Sequence, residues 1–175
     1  LLLSMEVTDN LGVSISLEEG AGKAVQMVLD VKAASGKVLL AGNGGSSAIV
    51  SHVQNDLCKT VAVRAMTFTE QPLLTALAND EGYGSVFEWP IGLLAEPGDL
   101  LLTISSSGQS ENIVRALAAA RKNECRVITL SGFDPDNASR RAGDLNFYAP
   151  SHFYGFVETA HMALAHYLTN MAAIQ

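Results

Sequence analysis

Twice in this chain a continuous apolar run breaks into glycines or serines and resumes at once with helical spacing. In the first copy, Val38-Leu39-Leu40-Ala41 has the pattern of a fully buried strand. Gly42-Asn43-Gly44-Gly45-Ser46-Ser47 follows and is expected to lie outside regular structure. Ile49, Val50, Val53 and Leu57 then fall on one helical face. In the second copy, Leu100-Leu101-Leu102-Thr103-Ile104 ends in Ser105-Ser106-Ser107-Gly108-Gln109-Ser110. Ile113, Val114, Leu117 and Ala118 mark the next helix. A strand that breaks into a helix N-terminus aims free backbone N–H groups at one point, an arrangement suited to phosphate. One glycine-rich turn has ordinary steric explanations. Two of the same design in one small chain point to a phosphorylated ligand.

The rest of the chain supports a doubly wound α/β fold. Ser16-Leu17-Glu18-Glu19 has the form of a capping box, and its helix should run to about Ala34, with Gly36 just past its end. Further strands are expected over Val61 to Phe68, Arg126 to Leu130 and Leu145 to Ala149. Short helices are expected from Thr69 to Leu77 and from Ser85 to Leu94, with a loop at Asn79 to Gly84 between them. A long helix should occupy residues 151 to 174. Continuous apolar strands that alternate with helices form a parallel sheet covered on both faces. The expected architecture is a single flavodoxin-like domain with five parallel strands, residues 16–175, preceded by an arm over residues 1–15. Ligands in such folds sit at the carboxyl ends of the strands, where both Gly/Ser loops fall.

At 175 residues, 48% hydrophobic and 17% charged, the chain has more apolar surface than a lone domain needs, and the excess suggests a subunit interface. A net charge of −7 argues against nucleic acid as a partner. Cys58 and Cys125 have no metal or redox spacing and read as two buried thiols in a reducing cytosol. No apolar run reaches spanning length, and Leu1-Leu2-Leu3 is too short for a signal region. The expectation is a soluble, cytoplasmic protein with no membrane contact.

Candidate chemistry gathers on two helices. His52 and Asp56 lie four residues apart on one helix face. Glu158 is the one acidic residue between Ser151 and Gln175, a stretch without Lys or Arg that should be buried on most sides. A carboxylate in such surroundings needs a cation, a metal or a donor. His161 and His166 follow on the same helix. His52, Asp56, Glu158 and one of these histidines would suit zinc, and also proton transfer beside a sugar carbonyl. Arg140-Arg141 reads as a solvated face. The near-fingerprint Gly42-x-Gly44-x-x-Ser47 lacks a well-placed acidic residue after the second strand, and the P-loop and hydrolase-elbow signatures are missing.

At these residues the chain resembles the sugar isomerase (SIS) domain family, and within it the phosphoheptose isomerases. The likeness rests on Gly42 to Ser46, Asn79-Asp80, Ser105 to Ser110 and the spacing of Glu158 to His166. It implies an aldose–ketose isomerase that acts on sedoheptulose 7-phosphate for surface-polysaccharide heptose. It also implies one zinc ion per site and a homo-oligomer, in this family a tetramer. By the resemblance, Asn43, Gly44, Gly45, Ser46, Asn79, Asp80, Ser105, Ser106, Ser107, Ser110 and Glu158 would bind substrate. His52, Asp56, Glu158 and His166 would hold metal, with Asp56, Glu158 and His166 catalytic. The family usually has Glu at position 56 and Gln at position 158, so the proton-transfer base is either Asp56 or Glu158. Residues eight apart on a helix are separated by about 12 Å. Glu158 and His166 therefore share an ion only by leaning inward or across subunits, and His161 is the easier partner by geometry. A non-catalytic SIS module that binds a sugar phosphate or a protein is the alternative reading, as is an isomerase of another sugar phosphate.

Overall fold

A computed structural model describes residues 2–175. One seven-stranded sheet runs through it in the order β2-β1-β7-β6-β5-β3-β4. Its strands are β1 (Glu6–Asp9), β2 (Ser14–Ile15), β3 (Lys37–Gly42), β4 (Arg64–Thr67), β5 (Leu100–Ser105), β6 (Arg126–Gly132) and β7 (Leu145–Ala149). β3 to β7 are parallel, in the doubly wound order expected. The sheet is nevertheless mixed rather than purely parallel and five-stranded. β1 pairs antiparallel with β7 and with β2. Residues 6–15 thus extend the sheet as a hairpin instead of forming a loose arm. Val7, 2% exposed, anchors the hairpin in the core. Arg140 holds its outer side, pairing with Glu6 at 2.6 Å while its guanidinium lies 4.4 Å from the Tyr148 ring. Arg140 is therefore a structural tie and not part of a solvated face. Leu1 lies outside the described residues.

Helices cover both faces. α1 (Leu17–Ala33), α2 (Gly44–Asp56) and α6 (Tyr154–Ala173) pack into one core with Val38, Leu40, Leu102 and Ile128. α3 (Gln71–Asp80), α4 (Ser85–Leu94) and α5 (Glu111–Lys122) pack into the other with Leu39, Ala41, Leu101 and Val127. Alternate residues of each buried strand therefore feed opposite cores, which is why these strands read as unbroken apolar runs. Ser16 caps α1 as expected, accepting from the Glu19 N–H at 3.1 Å. The left-handed residue after that helix is Ser35 (φ 55°) rather than a glycine. At the opposite end of the sheet from the Gly/Ser loops, Asp99 is 2% exposed. It accepts from the Lys37 and Glu96 N–H groups and pairs with Lys37 Nζ at 2.7 Å.

Several boundaries differ from expectation, each for a local reason. The Gly44–Ser47 stretch is not irregular but forms the first turn of α2, with Asn43 as N-cap. α2 continues through a π-helical turn (Leu57–Val61) until Ala62 turns left-handed (φ 59°), so β4 starts only at Arg64. Glu70, not Thr69, is the N-cap of α3, and Pro72 in its first turn suits the fixed φ of a helix start. That helix absorbs Asn79 and Asp80, which the composition had suggested were loop. α6 is half-buried, with Tyr154, Phe156 and Tyr167 exposed. Cys125 is buried, but Cys58 is exposed. No described helix is long and apolar enough to cross a membrane.

His161 lies on the inner face of α6, fully buried. Its Nε2 meets the Ser131 carbonyl at 3.0 Å and must be the protonated nitrogen, which leaves Nδ1 without a partner among the described residues. Burial holds its pKa down to about 4. An unfolded imidazole titrates near 6.5, so between roughly pH 6.5 and 4 the unfolded chain binds a proton that the folded chain refuses. This group's contribution is complete above the upper value and is lost as pH falls toward the lower one. Urea unfolding of wild type and His161→Leu should show the gap between them shrinking by up to about 3 kcal/mol from pH 7 to pH 4. Parallel stability curves would contradict the assignment.

Candidate active site

β3 and β5 are neighbours in the sheet, yet α2 leaves one face and α5 the other. The crevice at this switch holds a cavity of about 250 Å³. It is lined by Asn43, Gly44, Gly45 and Ser46 from the first loop, by Ser105, Ser106, Ser107 and Ser110 from the second, and by Tyr154 and Glu158 of α6. No Lys or Arg is in the lining. The positive potential comes from two helix N-termini and from hydroxyls. Neither Asn43 nor Ser110, the two N-caps, spends its side chain on capping. Ser106 Oγ is buried and has no hydrogen-bond partner among the described residues, so it is an open donor in the wall. Ser105 Oγ and Ser107 Oγ accept from the Gly108 and Gln109 N–H groups, which folds the serine loop tightly around Gly108 (φ 61°).

Behind that loop sits Asn137, fully buried. Its Nδ2 donates to Ser131 Oγ (3.1 Å) and to the Asp134 carbonyl (2.8 Å). Its Oδ1 lies where a side chain on residue 108 would begin, so only glycine fits there. On the other side of the cavity the Glu158 carboxylate lies directly over Gly45. A methyl group at position 45 would overlap it. The missing side chain lets the carboxylate approach the N-terminal turn of α2, where the helix dipole favours negative charge. Glu158 itself is half-buried rather than enclosed on most sides as expected, because the start of α6 is exposed around it.

The two loops are joined by their side chains. Asn43 Nδ2 donates to Asn112 Oδ1, and Asn112 Nδ2 donates to Asn43 Oδ1, both at 2.9 Å. The Tyr83 hydroxyl donates a third bond to Asn43 Oδ1 at 3.0 Å. Asn112 is 2% exposed, on the first turn of α5.

Farther along the α2–α6 seam, His52, Asp56 and His166 converge. Asp56 Oδ2 lies 3.6 Å from His52 Nε2 and 3.3 Å from His166 Nδ1, and the two rings meet edge to face at 4.9 Å. One ligand atom from each falls within 4.8 Å of the others, a set that could hold a metal ion. Glu158 does not join this set. It faces the cavity, eight residues earlier on α6. His161 is excluded as well, being sealed in the core.

Of the residues expected to bind substrate, Asn43 to Ser46, Ser105 to Ser107, Ser110 and Glu158 line the cavity. Asn79 and Asp80 do not. They are exposed in the last turn of α3, with Asn79 Nδ2 donating to Asp80 at 2.7 Å. Tyr83, three residues on, is the group from that region which reaches the site. Asn112, Asn137 and Tyr154 were missed as well. Asn112 could have been noticed as a carboxamide beside the Ser110 cap, whereas Asn137 and Tyr154 carry no sequence signal of their own.

Comparison with known proteins gives the chain a family. Residues 12–132 match the family model for the SIS domain. A phosphoheptose isomerase of Aromatoleum aromaticum is 36% identical over 154 residues, 83% of this chain and 77% of the relative. One of Syntrophotalea carbinolica is 34% identical over 151 residues, 82% and 76% of the two chains. Among solved structures, the phosphoheptose isomerase of Francisella tularensis superposes with a TM-score of 0.85 at 28% identity, covering 91% of this chain and 87% of that one. That of Neisseria gonorrhoeae gives 0.82 at 29%, covering 89% and 87%. The chain belongs to the SIS domain family, among the phosphoheptose isomerases.

Proposed function

We propose that this chain interconverts sedoheptulose 7-phosphate and D-glycero-D-manno-heptose 7-phosphate by proton transfer between C1 and C2 through an enediol(ate). The observation that carries the reading is the meeting of two helix N-termini, five serines and one carboxylate in a single cavity. The phosphate belongs at the serine loop, where Ser106 Oγ and the first N–H groups of α5 are open. The reacting end of the sugar then lies toward α6. Glu158 is the carboxylate that faces it, and serves as the base that removes the proton at C1 and returns it at C2. The N-terminus of α2 beneath Glu158 gives the carboxylate a favourable dipole to lie against.

His52, Asp56 and His166 are the groups to hold a divalent ion, and two imidazoles with a carboxylate suit zinc. Such an ion supplies Lewis-acid stabilisation of charge on a sugar oxygen. In this reading Asp56 and His166 act first as ligands. The exposed apolar side chains Phe153, Phe156, Trp89 and Leu93 support a homo-oligomer, for which a tetramer is the family expectation. A biosynthetic isomerase of this kind belongs in the cytoplasm.

Two experiments test the proposal. In heavy water, NMR of zinc-loaded protein with sedoheptulose 7-phosphate should show deuterium entering ketose C1 and aldose C2. Glu158→Gln should bind the sugar while exchange slows by about 10³-fold, within the range for loss of a general base. Exchange at the wild-type rate in Glu158→Gln, with none in Asp56→Asn, would move the base to Asp56. The second experiment uses Gly45→Ala, which leaves the fold intact because the carboxylate end of Glu158 can swing aside. Its displacement should lower kcat by about 10²-fold with little change in Tm. Full activity in Gly45→Ala would contradict the placement of Glu158.

A further inference from the structure

Asn43 contributes to the cavity as half of a clasp between the two ligand loops, and hydrogen-bond accounting shows what the clasp leaves free. A carboxamide has two N–H donors and an oxygen with two acceptor sites. Both acceptor sites of Asn43 Oδ1 are taken, by Asn112 Nδ2 and by the Tyr83 hydroxyl. One N–H is spent on Asn112 Oδ1. The second N–H is the one hydrogen-bonding capacity the side chain has left, on a residue that lines the cavity. With its oxygen occupied, Asn43 can meet a ligand only as a donor. The three partners also come from three separate segments: the end of β3, the start of α5 and the turn after α3.

We infer that Asn112 and Tyr83 are positioning residues of this site, which lock the Asn43 carboxamide as a one-donor group and set the spacing between the serine loop and Glu158. This rests on the isomerase reading of the cavity and adds to it two residues outside the ligand-contacting set. The physical case is the location of the pair. β3 and β5 are held together by their ladder only as far as Gly42 and Ile104. Beyond those residues the two loops diverge toward opposite faces, and the reciprocal amide pair joins them across the crevice. A reciprocal pair fixes distance and plane together, as a single bond does not. The phosphate is gripped on the α5 side and the proton is moved on the α2 side, so a loosened clasp should slow turnover more than it weakens binding.

The decisive measurement is a set of mutant cycles, read as kcat and KM, on zinc-loaded full-length protein with sedoheptulose 7-phosphate. Tyr83→Phe removes one hydroxyl from a half-exposed side chain and leaves the fold intact. It should lower kcat by about threefold, and Asn112→Ala by about 30-fold, each with KM within about twofold of wild type. Both losses should vanish when the same changes are made in Asn43→Ala, because nothing remains to be positioned. Equal losses with and without Asn43, or no loss in either single variant, would overturn the inference. Side-chain NMR of Asn43 supplies a readout that needs no turnover. One hydrogen of Nδ2 should exchange slowly in the wild type, and both should exchange fast in Asn112→Ala. Fast exchange of both in the wild type would also overturn the clasp. A wild type with a protected Asn43 amide but no turnover of the sugar would support the clasp and count against the isomerase reading alone.

Discussion

At the junction of β3 and β5 two adjacent parallel strands end together, and their following helices depart to opposite faces of the sheet. Every polar feature of the site follows from that divergence. Two helix N-termini are left facing one crevice, with backbone N–H groups that no intrahelical carbonyl can satisfy. The chain meets this demand with small and hydroxylic residues that keep the crevice open. A carboxylate from a third helix, Glu158 of α6, enters over Gly45. The cavity has no lysine or arginine in its wall, and helix N-termini of this kind suit an anion whatever the net charge of −7 on the whole chain.

The α2–α6 seam carries the other candidate groups. Both helices lie on the same face of the sheet and pack in the same core. Gly45 meets Glu158 near their N-termini, while His52 and Asp56 meet His166 near the other end. The two helices therefore run side by side in the same direction. Their contact divides into a part that faces the cavity and a part that could hold a metal ion. The division separates two carboxylates that the sequence alone had placed in one constellation, and it assigns them different surroundings. Glu158 sits over a helix N-terminus in an open cavity, and Asp56 sits between two imidazoles.

The parallel strands were legible because each feeds both cores and so must be apolar at every position, as with Leu39 and Leu40. The two strand ends at the crevice were legible because glycine and serine interrupt those runs there, although the first interruption is the opening turn of α2 and not a loop. The hairpin over residues 6–15 was not, since a four-residue strand with one deeply anchored side chain, Val7, leaves no period to detect. Asn79 and Asp80 were misread because Asn-Asp-Glu-Gly has the composition of a loop, while the helix that begins at Gln71 carries on through it. Asn112 and Tyr83 could not be found by spacing, because their partner Asn43 lies 69 and 40 residues away and pairing at that range is a product of topology. His166 against His161 turned on packing. A histidine directed inward at a strand carbonyl and one directed along the α2 seam look alike in a helical repeat.

Diffraction from crystals of the zinc-loaded protein with sedoheptulose 7-phosphate, recorded at the zinc absorption edge, would locate ion and sugar together. An anomalous peak is expected among His52, Asp56 and His166. The sugar is expected in the switch crevice, with its phosphate against Ser105 to Ser110 and its reacting end toward Glu158. Zinc bound away from that triad, or the phosphate seated outside the serine loop, would contradict this placement.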